Sequence, residues 1–245
     1  MTSIFLLIIH LIPFHNFIQI QNSEVNKDMI LLMFNKWRSE VSKNEFILNN
    51  NGKKLKWAGN MRELVWDNEL AEKADEKTAE KLVFRGKGET FFKTEKKNIT
   101  MTILTAFVLW KLELTNREVR PTNNYDDAYF EMQNGVTAIW AKSSKIGCAY
   151  EEYFDYCENS TVNLFICKFG PEFAEVGKPI YEIGEACKLC PLDTECKKEL
   201  GLCGEVPRVM KKIVELHNEK RSEVAKGQLG KSATNMRIMV SHEIF

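Results

Sequence analysis

Residues 145–169, KIGCAYEEYFDYCENSTVNLFICKF, form the stretch that decides the fold. Its two ends, residues 145–150 and 162–169, are rich in β-branched and aromatic side chains, which is typical of strands. The acidic and aromatic run EEYFDYCENS separates them and is predicted to be the connecting loop. The stretch therefore predicts two neighbouring strands in a domain that ends near Gly184.

Four helical patterns precede these strands, and in three of them apolar residues recur at steps of three and four. The residues on these faces are Ile30, Phe34, Trp37 and Val41, then Leu70, Ala71, Ala74, Thr78 and Leu82, then Ile103, Phe107, Trp110 and Leu114. Asp67 is suited to cap the second helix, which Gly86 and Gly88 end, and a shorter fourth helix is predicted over 127–138. Helices followed by strands predict an α+β layered domain.

The composition favours a packed globular protein and gives no support to a nucleic-acid partner. The chain has 245 residues, with 34 Lys and Arg balanced by 34 Asp and Glu, so no basic surplus is available to neutralise phosphates. Hydrophobic residues make up 44% of the chain, including 15 Phe and 5 Trp, which argues against disorder.

The first twenty residues carry no charged side chain and resemble a secretory leader. Residues 4–12 have about the length of a signal-peptide apolar region, whereas a membrane span needs about 20 apolar residues and His10 and Pro13 interrupt this one. We therefore predict a signal peptide over 1–23, no integral membrane span and an extracellular protein. Two N-glycosylation triplets agree with secretion and predict glycans on Asn98 and Asn159.

Four cysteines, Cys187, Cys190, Cys196 and Cys203, are spaced C-x2-C-x5-C-x6-C in a segment too short for a core. Either two disulfides or a four-cysteine zinc site could hold such a segment together. The leader and the glycosylation triplets favour disulfides, because these form in an oxidising compartment. Spacing alone leaves three pairings open.

Two short motifs recur in the same order near the end of the chain. NKWRSEV at 35–41 returns as NEKRSEV at 218–224, an offset of 183 residues, and AGNMR at 58–62 returns as ATNMR at 233–237, an offset of 175. We infer that residues 205–245 are the opening of a second copy of the first domain. About 40 residues cannot bury a domain core without help.

Several motifs together resemble the CAP superfamily of cysteine-rich secretory, antigen-5 and pathogenesis-related proteins, and in particular the two-domain venom-allergen-like proteins of nematodes. They are NKWRSEV with AGNMRELVWDNELA, AIWAKSSKIGCAY and FICKFGPEFAEVGKPIYEIGEAC. The resemblance implies a three-layer α-β-α sandwich over 24–185, a cysteine-rich hinge over 186–204 and a partial second domain over 205–245. It also implies a secreted protein with a binding or immunomodulatory role.

The resemblance implies a cleft in which two histidines and two glutamates bind a divalent metal. Matching the motifs places Gly86, Lys97, Glu113 and Asn134 at these four positions, so only Glu113 keeps a ligand. The four histidines, His10, His15, His217 and His242, all lie in the leader or the partial second copy. The complete domain therefore lacks the histidine of a Ser-His or Cys-His nucleophile pair and of a His-ligated zinc site. We predict a degenerate metal site, no cofactor and no enzymatic activity.

The resemblance also implies how the seven cysteines pair. It joins Cys148 to Cys167, Cys187 to Cys196 and Cys190 to Cys203. The usual partner of Cys157 would lie where this chain has Leu82. Cys157 is therefore predicted to be unpaired, as a free thiol or as the link of a disulfide-bonded dimer.

Three functions remain open. The first is a secreted binding protein that holds a sterol, a fatty acid or a host protein in an apolar groove between helices or on a loop with Tyr150, Tyr153, Phe154 and Tyr156. The second is a metal-dependent enzyme, which the lost ligands oppose. The third is a degenerate or truncated product without its own activity. A glycan on Asn98, beside Lys97, would crowd the expected cleft.

Overall fold

The computed structural model describes residues 26–48, 54–79, 86–115, 124–125, 132–228, 230 and 233–239. The predicted signal peptide over 1–23, Leu82, His242 and the first part of the predicted fourth helix lie outside these residues.

Most of the described helices precede the long strands of the chain, and one helix follows them. In chain order, the elements are α1 (Lys27–Ser42), β1 (Val65–Trp66), α2 (Asn68–Ala79), β2 (Glu89–Glu95), α3 (Ile99–Thr115), α4 (Gln133–Ala138), β3 (Lys145–Asp155), β4 (Ser160–Gly170), β5 (Thr194–Lys197), β6 (Leu202–Glu205) and α5 (Arg208–Ala225). The mixed α+β fold predicted from the sequence is confirmed. In the part of the chain described, none of the helices combines the length and the apolarity that crossing a membrane requires.

The central sheet has the strand order β1-β3-β4-β2. The long hairpin of β3 and β4 is antiparallel from Lys145↔Gly170 to Asp155↔Ser160, β2 pairs antiparallel with β4, and the short β1 runs parallel to β3. Both hairpin strands are longer than predicted, and the expected loop 151–160 is wrong for its first half. Tyr153 points into the core while Phe154 points outward, so the strand alternation continues to the turn.

Helices cover both faces of the sheet and give three layers. On one face, α1 and α3 pack through Phe34, Trp37, Phe107 and Trp110 against Phe165 of β4. On the other face, Ala74 of α2 packs with Ala149, Val162 and Ile166. Gly147 allows this approach, since a Cβ there would lie 2.1 Å from the backbone nitrogen of Ala71. Asp67 caps α2 as predicted, accepting a hydrogen bond from the Leu70 amide at 3.0 Å.

A buried arginine joins α1 to the loop that precedes β3. Arg38 donates all five of its N–H groups to backbone carbonyls, and its side chain is fully buried. Burial, with the charge of Arg62, lowers the pKa of Arg38 to about 9, so the guanidinium keeps its proton at neutral pH. A single side chain therefore ties α1 to this loop through five hydrogen bonds.

The cysteine-rich segment packs against the first domain instead of standing apart from it. Its disulfides join Cys187 to Cys196 and Cys190 to Cys203, and Leu202 lies in the core beside α1. The backbone of Cys203 exchanges hydrogen bonds with residues 61 and 63. The third disulfide, Cys148–Cys167, links directly opposed residues of β3 and β4. These are the three pairs that the family resemblance implied.

Helix α5 and the segment after it repeat a local arrangement found at α1. In the first arrangement, the side chain of Asn35 exchanges two hydrogen bonds with the backbone of Leu64, at 2.9 and 2.8 Å. In the second, Asn218 exchanges two hydrogen bonds with the backbone of Met239, also at 2.9 and 2.8 Å. Likewise Arg38 Nε donates to the Arg62 carbonyl at 2.7 Å, and Arg221 Nε donates to the Arg237 carbonyl at 2.8 Å.

Candidate functional site

Glu113 lies near the end of α3 and faces the start of α4. Its Oε1 accepts a hydrogen bond from Asn134 Nδ2 at 2.6 Å, and its Oε2 accepts one from the Gly135 amide at 2.9 Å. The α4 N-terminus has no side-chain cap from Met132, the residue that precedes it. Glu113 therefore caps α4 from another helix, satisfying an amide that the helix itself leaves unpaired.

Asn134 connects this cap to the sheet. While its Nδ2 donates to Glu113, its Oδ1 accepts from the Phe91 amide of β2 at 2.9 Å. The Phe91 carbonyl in turn accepts from Trp110 Nε1 at 3.3 Å. Glu113 and Asn134, two of the four residues matched to the family's metal site, are thus brought together, but as parts of a structural hydrogen-bond chain.

Gly86 meets a different carboxylate. Its amide donates to Glu89 Oε2 at 2.5 Å, while Lys168 Nζ lies 2.6 Å from Glu89 Oε1 and Lys77 pairs with Oε2. Burial acts to raise the pKa of Glu89, but the hydrogen bonds from Lys168, Lys77 and Gly86 outweigh it and lower the pKa below its ordinary value. Glu89 is consequently an ionised, buried carboxylate held between two ammonium groups.

Lys97 lies away from these residues. It lies two residues beyond the end of β2, and the strand from Phe91 to Glu95 alone spans about 13 Å. Its carbonyl accepts from Asn163 Nδ2 at 2.6 Å, and its side chain is exposed. The structure therefore places Glu89, and not Lys97, beside Gly86.

Sequence reasoning missed Glu89 and its two lysines. One signal was available: Gly88 and Glu89 repeat the Gly-Glu pair of the G-E-N-I motif, the family motif whose glutamate Lys97 replaces in the match given above. The roles of Lys77 and Lys168 were not readable, because these residues come to Glu89 only when α2 and β4 pack together.

The residues present do not fit the metal that the family implies. Gly86 has no side chain that could bind an ion. Both polar atoms of the Asn134 side chain form hydrogen bonds to protein groups. The ammonium groups of Lys77 and Lys168 neutralise the charge of Glu89. Among the residues described, no group of three or more His, Cys, Asp or Glu is placed to hold an ion.

The aromatic run of the hairpin divides into buried and exposed residues. Tyr153 is buried and Tyr150 is half-buried, whereas Phe154 and Tyr156 are 44% and 88% exposed. The rings of Phe154 and Tyr156 meet edge to face with centroids 5.1 Å apart. Cys157, the one free cysteine among the residues described, is exposed beside them. We call residues 154–159 the hairpin tip.

The two glycosylation triplets lie at exposed positions. Asn98 precedes α3, and its Oδ1 accepts from the Met101 amide at 2.8 Å, so it caps that helix. Fifteen residues of helix, about 22 Å, separate it from Glu113. The expectation that a glycan on Asn98 would crowd the cleft stays a prediction. Asn159 lies in the turn of the hairpin tip with a φ of 49°.

Several curated proteins are similar to this chain in sequence, and several solved structures are similar to it in fold. No family model matches the chain. Venom allergen 5 of Tityus serrulatus is 27% identical over 209 residues, covering 74% of this chain and 48% of its own length. A CRISP/Allergen/PR-1 protein of Trittame loki is 30% identical over 199 residues, covering 73% and 46%. The chain thus spans about half the length of these curated relatives.

Two solved structures match this chain over all of their own length. The crystal structure of NaASP2 with Zn2+ superimposes with a TM-score of 0.63 and 26% identity, covering 77% of this chain and all of the other. BmVAL-1 gives a TM-score of 0.63 at 24% identity and so shows the fold alone. With the motifs, the disulfides and the three layers described above, these similarities show that the chain belongs to the CAP superfamily.

Proposed function

We propose that this chain is a secreted, non-enzymatic CAP-type binding protein that recognises a protein partner through the hairpin tip. The observation that carries the proposal is the exposed aromatic pair Phe154 and Tyr156, with Tyr156 88% exposed. Large aromatic side chains are the usual anchors of protein interfaces, because they bury much apolar area with few rotatable bonds.

The charges around the tip suit a protein interface better than a lipid surface. Lys93 lies 2.6 Å from both Asp155 and Glu158, and Lys96 lies 2.7 Å from Glu152, so acidic and basic groups are already paired around the aromatic rings. Protein interfaces commonly have such a polar rim about an apolar centre. A basic surface that could attract anionic lipid heads is missing from the tip itself.

We propose that the chain has no enzymatic activity because Glu113 and Glu89 already form hydrogen bonds or ion pairs within the protein. Glu113 caps α4, and Glu89 is clamped by Lys77 and Lys168. A general base must lie within hydrogen-bond reach of a substrate, and a nucleophile needs a partner base. Both carboxylates are engaged with protein donors instead, which supports a binding role. The venom-allergen names of the relatives support secretion.

The second copy that the sequence predicts from residue 205 is also part of the proposal. Asn218 and Arg221 make the same hydrogen bonds to residues 237 and 239 that Asn35 and Arg38 make to residues 62 and 64. Sequence repetition alone could leave these residues without their partners, so repeated bonds at matched distances support a second copy that begins after the cysteine-rich hinge.

A binding screen tests the proposal: the secreted chain is applied to an array of secreted and cell-surface proteins, and the proteins that it binds are recorded. We expect the double variant Phe154→Ala/Tyr156→Ala to lose every interaction of the parent, since removal of an interface anchor costs about 2 kcal/mol or more. Val176→Ala is the matched control, because Val176 is an exposed apolar residue on another loop.

Parallel titrations with cholesterol and palmitate separate the alternatives. Saturable uptake of either lipid, unaffected by the double variant, would favour the sterol or fatty-acid function and contradict recognition at the tip. Titration with Zn2+ tests the remaining alternative, and we expect no stoichiometric binding to the folded protein. If the chain is not secreted as a folded monomer, the degenerate product without activity is favoured.

A further inference from the structure

Helix α3 is apolar on nearly all sides although one side faces solvent. Its inner face buries Ile103, Phe107 and Trp110 against α1 and the sheet. Its outer face carries Met101, Leu109 and Leu112, which are 38%, 45% and 42% exposed. A helix of a soluble protein ordinarily places charged or polar residues on such a face. We call Met101, Leu109 and Leu112 the outer stripe of α3.

The residue that caps α3 is also a glycosylation acceptor. Asn98 is exposed, and its Oδ1 is used by the Met101 amide at 2.8 Å. Glycosylation uses the other atom of the side chain, Nδ2. The amide oxygen can therefore keep the helix cap while the amide nitrogen carries a sugar.

We propose that an N-linked glycan on Asn98 covers the outer stripe of α3 and keeps the protein monomeric. The inference rests on the proposed secretion of the chain. In the reaction, Nδ2 bonds to C1 of an oligosaccharide carried on a lipid pyrophosphate. The C1–oxygen bond to the pyrophosphate breaks, the pyrophosphate leaves with the bonding electron pair, and Nδ2 gives up one proton.

The distance of each residue of the outer stripe from Asn98 follows from its position along α3. Met101 lies about 5 Å along the helix axis from the cap, Leu109 about 16 Å and Leu112 about 21 Å. The glycan is thus attached at one end of the stripe, within one turn of its first residue. The carbon faces of sugar rings can lie against apolar side chains while the hydroxyl groups remain in water.

Asn98→Asp is the variant that isolates the glycan from the cap. Aspartate is as good a helix cap as asparagine, so the variant loses the sugar and retains the hydrogen bond to Met101. Asn159→Gly is the matched control, because it removes the other acceptor and glycine tolerates the positive φ of residue 159.

Each protein is secreted from eukaryotic cells and analysed by glycopeptide mass spectrometry, light scattering and an apolar-surface dye. We expect Asn98 to be occupied in the parent. Asn98→Asp should show a light-scattering mass that rises with concentration and a gain in dye fluorescence, whereas Asn159→Gly remains a monomer. Adding Leu109→Lys and Leu112→Lys to Asn98→Asp should restore the monomer, and adding Val176→Lys should not.

The outcomes distinguish failure of this inference from failure of secretion. Occupied Asn159 with unmodified Asn98 would overturn the inference alone, since the chain has then passed through a glycosylating compartment. Secreted protein with neither site occupied would also overturn the inference alone, whereas the absence of folded protein from the medium would overturn the proposed secretion and the inference together. An occupied Asn98 whose replacement changes neither mass nor dye binding would show that the glycan does not cover the stripe.

Discussion

Replacement of the buried Arg38 by lysine should destabilise the protein strongly although the charge is kept. Arg38 donates from Nε to Arg62, from Nη1 to Ala138 and Trp140, and from Nη2 to Ala141 and Ser143, at 2.7 to 3.2 Å. These bonds use all five guanidinium donors. A lysine has three N–H donors on one nitrogen, so at least two carbonyls would lose their partner.

The magnitude follows from those two carbonyls. A buried polar group left without a partner costs about 1–3 kcal/mol, so we expect Arg38→Lys to lower the free energy of unfolding by about 2–6 kcal/mol. For a domain of this size each kcal/mol lowers Tm by about 2–4 °C, which gives a decrease of about 4–24 °C. Urea denaturation at pH 7, followed by tryptophan fluorescence with the disulfides intact, measures the first quantity.

Arg221→Lys provides the matched control within the same chain. Arg221 occupies the equivalent position of α5 and makes the equivalent Nε bond, but it lies only half-buried. We expect its replacement to change stability by about 0.5 kcal/mol or less, as for most surface substitutions. Equal effects of Arg38→Lys and Arg221→Lys would refute the reasoning that five matched donors stabilise this junction.

Three further results are expected. Gly147→Ala should lower the free energy of unfolding by about 3 kcal/mol or more, since the new Cβ would meet a backbone nitrogen of α2 at 2.1 Å; Gly170→Ala, whose nearest neighbour is at 3.5 Å, should cost much less, and equal losses would contradict this. Because the folded pKa of Glu89 is below 4.5, its contribution is present above that pH and is lost as pH falls through the folded pKa. Urea titrations from pH 7 to 3 should therefore show a smaller loss of stability for Glu89→Gln than for the parent, and parallel curves would exclude a role for this carboxylate. Asn218→Ala should speed hydrogen exchange of the Met239 amide without affecting Leu64, and unchanged exchange would argue against the repeated arrangement.

Local sequence was sufficient for the amphipathic face of α1 and the cap of α2, and the family resemblance for the cysteine pairs. The apolar residues of α1 recur with the period of a helix, and Asp67 stands where a cap is required, so both features could be predicted without knowing the fold. The absence of histidine from 24–185 likewise excluded whole classes of catalytic site from the composition alone. The family motifs implied the disulfide pairs that the structure contains.

Tertiary structure decided what the remaining polar residues do. Strand β2, ETFFKTE, has too little apolar alternation to be predicted, and it forms because β4 offers it a partner along its whole length. The sequence identified Glu113 as a surviving metal ligand, but its neighbours Asn134 and Gly135 come from a helix about twenty residues away and make it a cap. The same holds for Glu89, whose lysines are supplied by α2 and β4. Sequence periodicity reports which residues share a face, whereas the role of a carboxylate depends on donors brought to it by long-range packing.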